Sequence, residues 1–213
     1  MSVAKNLDTL LPPARQTRSQ ETFQRVLDTF TEMLNEVPFD QITIAELSRR
    51  SRTSPPSIYA RFADKSALLL AAHETYLRAI DEKSSTVFSG HEDPSVNIAA
   101  ITENLCDMYA VNRNLLRSVL LSDNVVLYSR VTLRINRFGD GLCEYFARIH
   151  PDAESVATEE AARRATSVVF ALLHQQLLFA TTDLKVKRNR AEIAALLASE
   201  INTAMENLKE QES

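Results

Sequence analysis

Two helix-start signals stand close together in the chain, at Thr43 and at Ser54. Thr43 is followed three residues later by Glu46, which is the spacing of a capping box, where side chains satisfy the free backbone N–H groups of a first turn. Ser54 precedes a proline, and proline suits the first position of a helix because the missing N–H has no intrahelical partner to lose. The helix opened by Thr43 therefore ends near Ser51. Two short helices this close together predict a helix-turn-helix arrangement.

Longer helices are predicted on both sides of this pair. Apolar residues recur at spacings of three and four between Ser19 and Pro38, which indicates an amphipathic helix that ends before the proline. Asp64 precedes a second apolar stripe and is expected to cap a longer fourth helix. Residues 1–18 contain two adjacent prolines and no apolar stripe, so they predict a flexible N-terminal arm.

The composition favours helices throughout the chain. Only three glycines occur among 213 residues, so the usual residues of tight strand-connecting turns are scarce. The sequence has no apolar run of about 18 residues and no charged segment followed by a hydrophobic stretch at its start. We therefore expect a cytoplasmic protein without a membrane partner.

The charge is distributed unevenly. The net charge is −4, but residues 41–65 carry five Lys and Arg against two Asp and Glu. This local excess is compatible with a phosphate-facing patch, although a solvated surface often has the same composition.

A specific residue spacing runs through the second helix of the pair and beyond it: Ile58, Tyr59, Phe62, Lys65 and Leu68. Together with the cap at Thr43, this spacing resembles the DNA-binding domain of the TetR family of regulators, over roughly residues 19–75. The resemblance implies an all-α fold, with a three-helix helix-turn-helix domain at residues 19–83. A C-terminal helical ligand-binding and dimerisation bundle would follow at residues 84–213.

Two residues depart from the family pattern. Arg52 stands in the turn where the family prefers glycine, and a left-handed conformation there would cost about 1–2 kcal/mol. Pro56 stands where glycine is frequent and removes a further N–H from the helix start, so Ser54 is left to cap only toward Ser57. Arg52 and Ser54 are both included among the predicted DNA-binding residues.

The remaining predicted DNA-binding residues divide by role. We expect Ser57 and Thr53 to read base edges, with Arg61 on either a guanine or a phosphate, because residues three or four apart share one helix face. The resemblance implies phosphate contacts, which position the protein without reading sequence. The residues implied to make them are Thr43, Tyr59 and Lys65.

The C-terminal part predicts a dimer. The helix expected from residue 158 to 180 is apolar nearly all round, so it needs cover on two sides, one of them a second subunit. With the last helix it resembles the four-helix dimer interface of the family. The predicted interface residues are Val169, Leu173, Leu177, Leu197 and Ile201.

A ligand site is implied by the resemblance, because family members usually bind a small molecule within this bundle and then release DNA. The polar residues that lie inside apolar stretches are Tyr109, Tyr128, His174 and Gln175. An ordinary hydrogen-bonded core or interface role stays open for each of them.

An enzyme is disfavoured, since the four histidines lack metal-ligand spacing and no phosphate-binding or nucleophile motif occurs. We expect no metal and no cofactor. The expected function is that of a sequence-specific repressor, located at the bacterial nucleoid. It is expected to bind a palindromic double-stranded operator as a homodimer and to be released by a small molecule. An activator stays open, as does a nucleoid-associated or protein-partner module without an inducer.

Overall fold

The computed structural model describes residues 13–84, 94–179 and 189–211, with side chains described for 19–80, 96–175 and 189–208. Over these ranges every regular element is helical, which confirms the all-α fold class. The helices are α1 (Pro13–Glu36), α2 (Ile44–Ser51), α3 (Pro55–Tyr59), α4 (Lys65–Ser84), α5 (Pro94–Val111), α6 (Arg113–Leu120), α7 (Val125–Ile149), α8 (Ser155–Phe179) and α9 (Arg190–Gln211). A short 3-10 turn, Phe39–Gln41, lies between α1 and α2. None of the described helices combines the length and hydropathy that crossing a membrane requires.

The chain divides into two compact units between residues 75 and 76. This division falls inside α4, whereas the sequence placed the end of the first domain at residue 83.

Helix α1 is longer than predicted, because it begins at Pro13 and not near Ser19. A proline at the first helical position costs no intrahelical hydrogen bond, and its fixed φ already suits the helix. The apolar stripe begins only in the following turns, so periodicity could not reveal this start. The predicted arm is therefore helical over 13–18, and its residues 1–12 lie outside the described part.

The first unit packs α1 against α2 and α2 against α3. Val26 and Phe30 of α1, Leu47 of α2 and Ile58 of α3 are all completely buried. Burial of one such side chain stabilises the fold by about 1.5–3 kcal/mol. Because α2 and α3 are too short to be stable alone, this apolar cluster holds them in place.

The second unit is a helical bundle in which α7 packs on α8, α8 on α9, and α9 on α5. Its core includes Ile98 of α5, Leu142 and Phe146 of α7 and Ala162 of α8, all fully buried. An ion pair of 2.6 Å between Arg190 and Asp107 joins the start of α9 to α5.

The predicted dimer-interface residues lie in this core instead of on a surface. Val169 and Leu173 of α8 and Leu197 and Ile201 of α9 are at most 3% exposed, and they contact the same apolar cluster within one subunit. The prediction is wrong for these four, because an apolar stripe shows that a helix face is covered without showing what covers it. The side chain of Leu177 lies outside the described residues.

Helices α7 and α8 approach closely at Gly139. A Cβ atom built on this glycine would lie 3.2 Å from the Thr166 Oγ1 atom of α8. Thr166 is itself buried, and its hydroxyl donates to the Ala162 carbonyl, so it has little freedom to move away. Glycine at this position therefore serves the contact between the two helices.

We expect Gly139→Val to destabilise the second unit by about 1–3 kcal/mol, because the added methyl groups collide with Thr166. Gly141→Ala is the matched control, since no such neighbour of Gly141 is found among the described residues. The control should stabilise the helix by about 0.5–1 kcal/mol through its propensity. Urea unfolding monitored by circular dichroism measures both, and equal stability of the two variants would contradict the close contact.

Candidate nucleic-acid interface

The start of α2 is capped by Thr43, as predicted. Its backbone is extended, and its hydroxyl oxygen accepts a 3.2 Å hydrogen bond from the Glu46 N–H. In a complete capping box the Glu46 carboxylate would accept a hydrogen bond from the Thr43 backbone N–H. Here it accepts hydrogen bonds of 2.6–2.8 Å from Arg49 and Arg50 instead. Charged guanidinium donors are stronger partners for a carboxylate than a neutral backbone N–H.

An ion-pair network covers the exposed side of α2. Arg50 bridges two carboxylates, since it also lies 2.5 Å from Glu36 at the end of α1. Hydrogen bonds from Arg49 and then from Arg50 lower the pKa of Glu46 to about 2. Glu46 therefore stays ionised at any pH at which the protein works, and much of the positive charge counted on α2 is compensated locally.

The turn after α2 is strained at Arg52. Its φ of 51° and ψ of 38° are left-handed, and it is the non-glycine residue with positive φ in the described part of the chain. The sequence left open whether this turn is left-handed, as the family's glycine suggests, or differs from the family's; the left-handed form is the one observed. The conformation lets the Arg52 and Thr53 N–H groups reach the Ser48 carbonyl, which ends the helix. The side chain of Arg52 is exposed, while that of Thr53 is turned inward.

The burial of Thr53 contradicts its predicted role at base edges. Thr53 is only 5% exposed, and its hydroxyl donates to the Ser51 carbonyl at 3.1 Å. The same carbonyl accepts a 2.9 Å bond from the Arg25 guanidinium of α1. The left-handed residue before Thr53 reverses the direction of the chain, so the Thr53 side chain lies inside the turn. There its hydrogen bond stabilises the turn.

Helix α3 begins at Pro55 after an extended Ser54, at the position predicted. Ser54 does not cap the backbone, however, because its hydroxyl forms a 2.9 Å hydrogen bond with the Ser57 hydroxyl. Pro55 and Pro56 offer no N–H for a cap. Ile58 is buried as expected, and Tyr59 is 54% exposed, so its ring and hydroxyl are accessible.

Arg61 and Lys65 turn back onto the protein. Arg61 donates to the Ser57 carbonyl at 2.8 Å and to the Ser19 hydroxyl at 3.4 Å. The Lys65 ammonium donates 3.0 Å hydrogen bonds to three carbonyls in the connection between α1 and α2, those of Phe39, Asp40 and Ile42. Because an ammonium group has three N–H donors, a phosphate would have to displace one of these bonds.

Asp64 caps α4, as predicted, since its carboxylate accepts a 2.8 Å hydrogen bond from the Ala67 N–H. The cap fixes the start of α4, and the Lys65 contacts join this helix start to the connection between α1 and α2. Of the predicted DNA-binding set, Arg52, Ser54 and Tyr59 are exposed, and Thr43 is exposed at the start of α2.

The family comparison agrees with this geometry. Residues 26–72, which span the end of α1 through the start of α4, match the model of the N-terminal domain of "Bacterial regulatory proteins, tetR family". This part of the chain is therefore a DNA-binding domain of the TetR type. No curated protein sequence matched it significantly.

Solved TetR-family structures share the fold. A regulator of Mesorhizobium loti MAFF303099 assigned to the family has a TM-score of 0.69 at 14% identity, over 89% of this chain and 97% of the other. A TetR-family transcriptional regulator of Streptomyces coelicolor has a TM-score of 0.68 at 15% identity, over 88% and 81%. The transcriptional regulator FadR of Bacillus subtilis, in complex with stearoyl-CoA, has a TM-score of 0.61 at 14% identity, over 86% and 97%.

The second, helical unit of the protein brings together two of the four predicted ligand residues. The rings of Tyr109 and His174 stack with centroids 6.2 Å apart, and Phe170 lies 6.4 Å from Tyr109 and 6.1 Å from His174. Burial raises the pKa of Tyr109 and lowers that of His174, so both are neutral at neutral pH. Tyr128 is 72% exposed and Gln175 is exposed, so neither joins this cluster.

Sequence reasoning missed the partners of this aromatic cluster. Phe138 of α7 packs edge-on against Phe170 at 5.4 Å, and Arg134 lies near enough to Tyr76 and Tyr109 to lower their pKa values slightly against the dominant effect of burial. The spacing of Phe170 and His174 by one helical turn was the only signal available. A separate cavity of about 230 Å³ between α8 and α9 is lined by Glu160, Arg164 and Asn207 among others, and by none of the four predicted residues.

Among the described side chains no group of His, Cys, Asp and Glu is arranged to hold a metal ion. Cys106 and Cys143 are both free thiols, and burial raises the pKa of Cys106 to about 11.

The left-handed backbone at Arg52 predicts a gain in stability from glycine. Arg52→Gly should stabilise the protein by about 1 kcal/mol, because glycine adopts positive φ without a Cβ clash, and should raise its Tm by about 2–4 °C. Arg52→Ala is the control, since it removes the guanidinium but keeps the Cβ atom. Equal gains in the two variants, measured by thermal unfolding, would show that the cost comes from the guanidinium and not from the backbone.

Proposed function

We propose that this protein is a sequence-specific repressor of the TetR type that binds a palindromic operator as a homodimer and is released by a small-molecule ligand. The observation that carries the proposal is the pair α2–α3, two short helices joined by a left-handed turn, with the α3 surface accessible from Ser54 to Ala60 apart from its core residue. In a helix-turn-helix, the second helix lies in the major groove, and its N-terminal residues contact base edges.

The proposed operator follows from the length of α3. A five-residue helix contacts few base pairs, so one unit alone would discriminate poorly. A two-fold dimer doubles the contacts, and it requires half-sites whose centres are about 34–36 Å apart.

The proposed dimer surface is the solvent side of α8 and α9. Most large apolar residues of both helices are buried inside the subunit, although Val156 at the start of α8 is exposed. Small side chains remain on the outside, namely Ala171 on α8 and Ala191, Ala195 and Ser199 on α9. Small side chains let helices of two subunits approach closely, and the half-buried Leu172 and Leu196 lie beside them. The resemblance of these two helices to the four-helix dimer interface of the TetR family, seen in the sequence, supports this choice.

We expect Ala195→Arg to convert the dimer to monomers without loss of helix content, because a long charged side chain separates the paired helices. Leu197→Asp, two residues further along, should instead unfold the second unit, since a carboxylate at a fully buried position costs several kcal/mol. Sedimentation velocity and circular dichroism separate the two effects. A dimer of Ala195→Arg with unchanged affinity would place the interface elsewhere.

The proposed ligand site is the aromatic cluster of Tyr109, Phe170 and His174, with Arg134 nearby. Aromatic walls with a few polar groups are typical of small-molecule sites. That the similar fold of Bacillus subtilis FadR was solved with stearoyl-CoA supports a ligand within the helical unit. To change the ratio of the DNA-binding to the released conformation from 99:1 to 1:99, a ligand must favour the released conformation by about 5.5 kcal/mol.

The alternative of a nucleoid-associated protein depends on phosphate contacts that read no sequence. Three described cations of the first unit argue against it, because Arg49 and Arg50 are paired with carboxylates and Lys65 binds three carbonyls, while Arg52 is exposed. Cations that are already engaged add less to binding by charge alone.

Selection of bound fragments from a random DNA pool at near-physiological salt tests the proposal. We expect an enriched palindrome with half-sites one helical turn apart. Ser57→Ala should then relax the preference at one symmetric pair of positions, whereas the matched variant Tyr59→Phe should weaken binding to all sequences alike. Binding without enrichment and with a steep salt dependence would favour the nucleoid-associated alternative.

A further inference from the structure

The exposed face of α3 is uncharged and mostly apolar, with Ser54 and Tyr59 as its exposed polar residues. No charged residue occurs from Ser54 to Ala60, and five of these seven side chains are exposed: Ser54, Pro55, Pro56, Tyr59 and Ala60. Ile58 is buried and Ser57 is half-buried. A recognition helix with this surface differs from one that reads guanine through arginine or adenine through asparagine.

The polar groups near this face are engaged elsewhere. The Ser54 and Ser57 hydroxyls bond to each other at 2.9 Å, which uses one of their two protons. The Arg61 guanidinium is held by the Ser57 carbonyl and the Ser19 hydroxyl, and Thr53 is buried. What α3 offers to a base pair is therefore mainly carbon.

Two prolines form the leading part of this surface. Pro55 and Pro56 occupy the first two helical positions, so that part of the backbone has no N–H to donate, and their exposed rings present methylene groups instead. Ala60 lies four residues after Pro56, so its methyl group extends the same side of the chain. In the major groove, the base feature that apolar groups recognise is the C5-methyl group of thymine.

We propose that Pro55 and Pro56 read thymine by contact with its C5-methyl group, an inference that rests on the proposed operator binding. The prolines supply specificity for T·A pairs at the N-terminal part of the α3 contact, where they themselves offer no hydrogen-bond donor. Their rings are rigid, so the contact is made without ordering a flexible side chain.

The inference predicts a measurable methyl dependence. Burial of one methyl group against carbon corresponds to about fourfold in Kd, and to about fifteenfold when the symmetric position of the other half-site also loses its methyl. Replacing thymine by deoxyuridine removes only the methyl group and keeps the pairing and the hydrogen-bonding edge.

The test uses the full chain and the operator obtained by selection. Each thymine is replaced by deoxyuridine in both half-sites, and Kd is measured at one salt concentration. We expect a loss of about fifteenfold at one or two symmetric positions, and no change at thymines outside the half-sites, which serve as controls. Restoring the methyl group at a sensitive position as 5-methylcytosine, compared with cytosine, should recover part of the affinity.

A variant assigns the effect to the prolines. In Pro56→Gly, with its fold checked by circular dichroism, the ratio of the Kd values for uracil and thymine should fall toward one at the sensitive position. Tight binding to a palindrome without any thymine-to-uracil effect in the wild-type protein would overturn the inference and leave the proposed function standing. Absence of any enriched sequence would overturn both.

Discussion

The DNA-binding unit depends on how the ends of very short helices are satisfied. Every helix end leaves backbone N–H or C=O groups without partners, and a helix of five or eight residues consists largely of such ends. Here Thr43 and Asp64 accept hydrogen bonds from N–H groups at helix starts, and the left-handed Arg52 ends α2. Lys65 donates to three carbonyls of the connection between α1 and α2. The apolar core then needs only to hold elements whose ends are already defined.

Features decided by neighbouring residues could be predicted from the sequence. The caps at Thr43 and Asp64, the left-handed turn at Arg52 and the burial of Ile58 all follow from local spacing and backbone sterics. The start of the long helix α1 could not be predicted, because its first turn carries no apolar stripe.

Features decided by distant contacts could not be predicted. Val169 and Leu197 have the periodicity of an interface and of a core alike, and only the packing of α8 on α9 distinguishes the two. Thr53 was placed at the DNA because its position in the turn was known, while the direction of its side chain was not. Charge counting failed in a similar way: it found five cations near α3 but not the carboxylates and carbonyls that bind four of them.

The contact at Gly139 has a mechanical consequence. At Gly139 only the short, hydrogen-bonded side chain of Thr166 lies between the two helix backbones, so there is little to absorb a displacement, and protein interiors compress very little. Helices α7 and α8 are therefore expected to move together at this point. A shift of Phe138, one residue before the glycine, would be passed to α8 as a rigid-body motion and not lost in side-chain rearrangement.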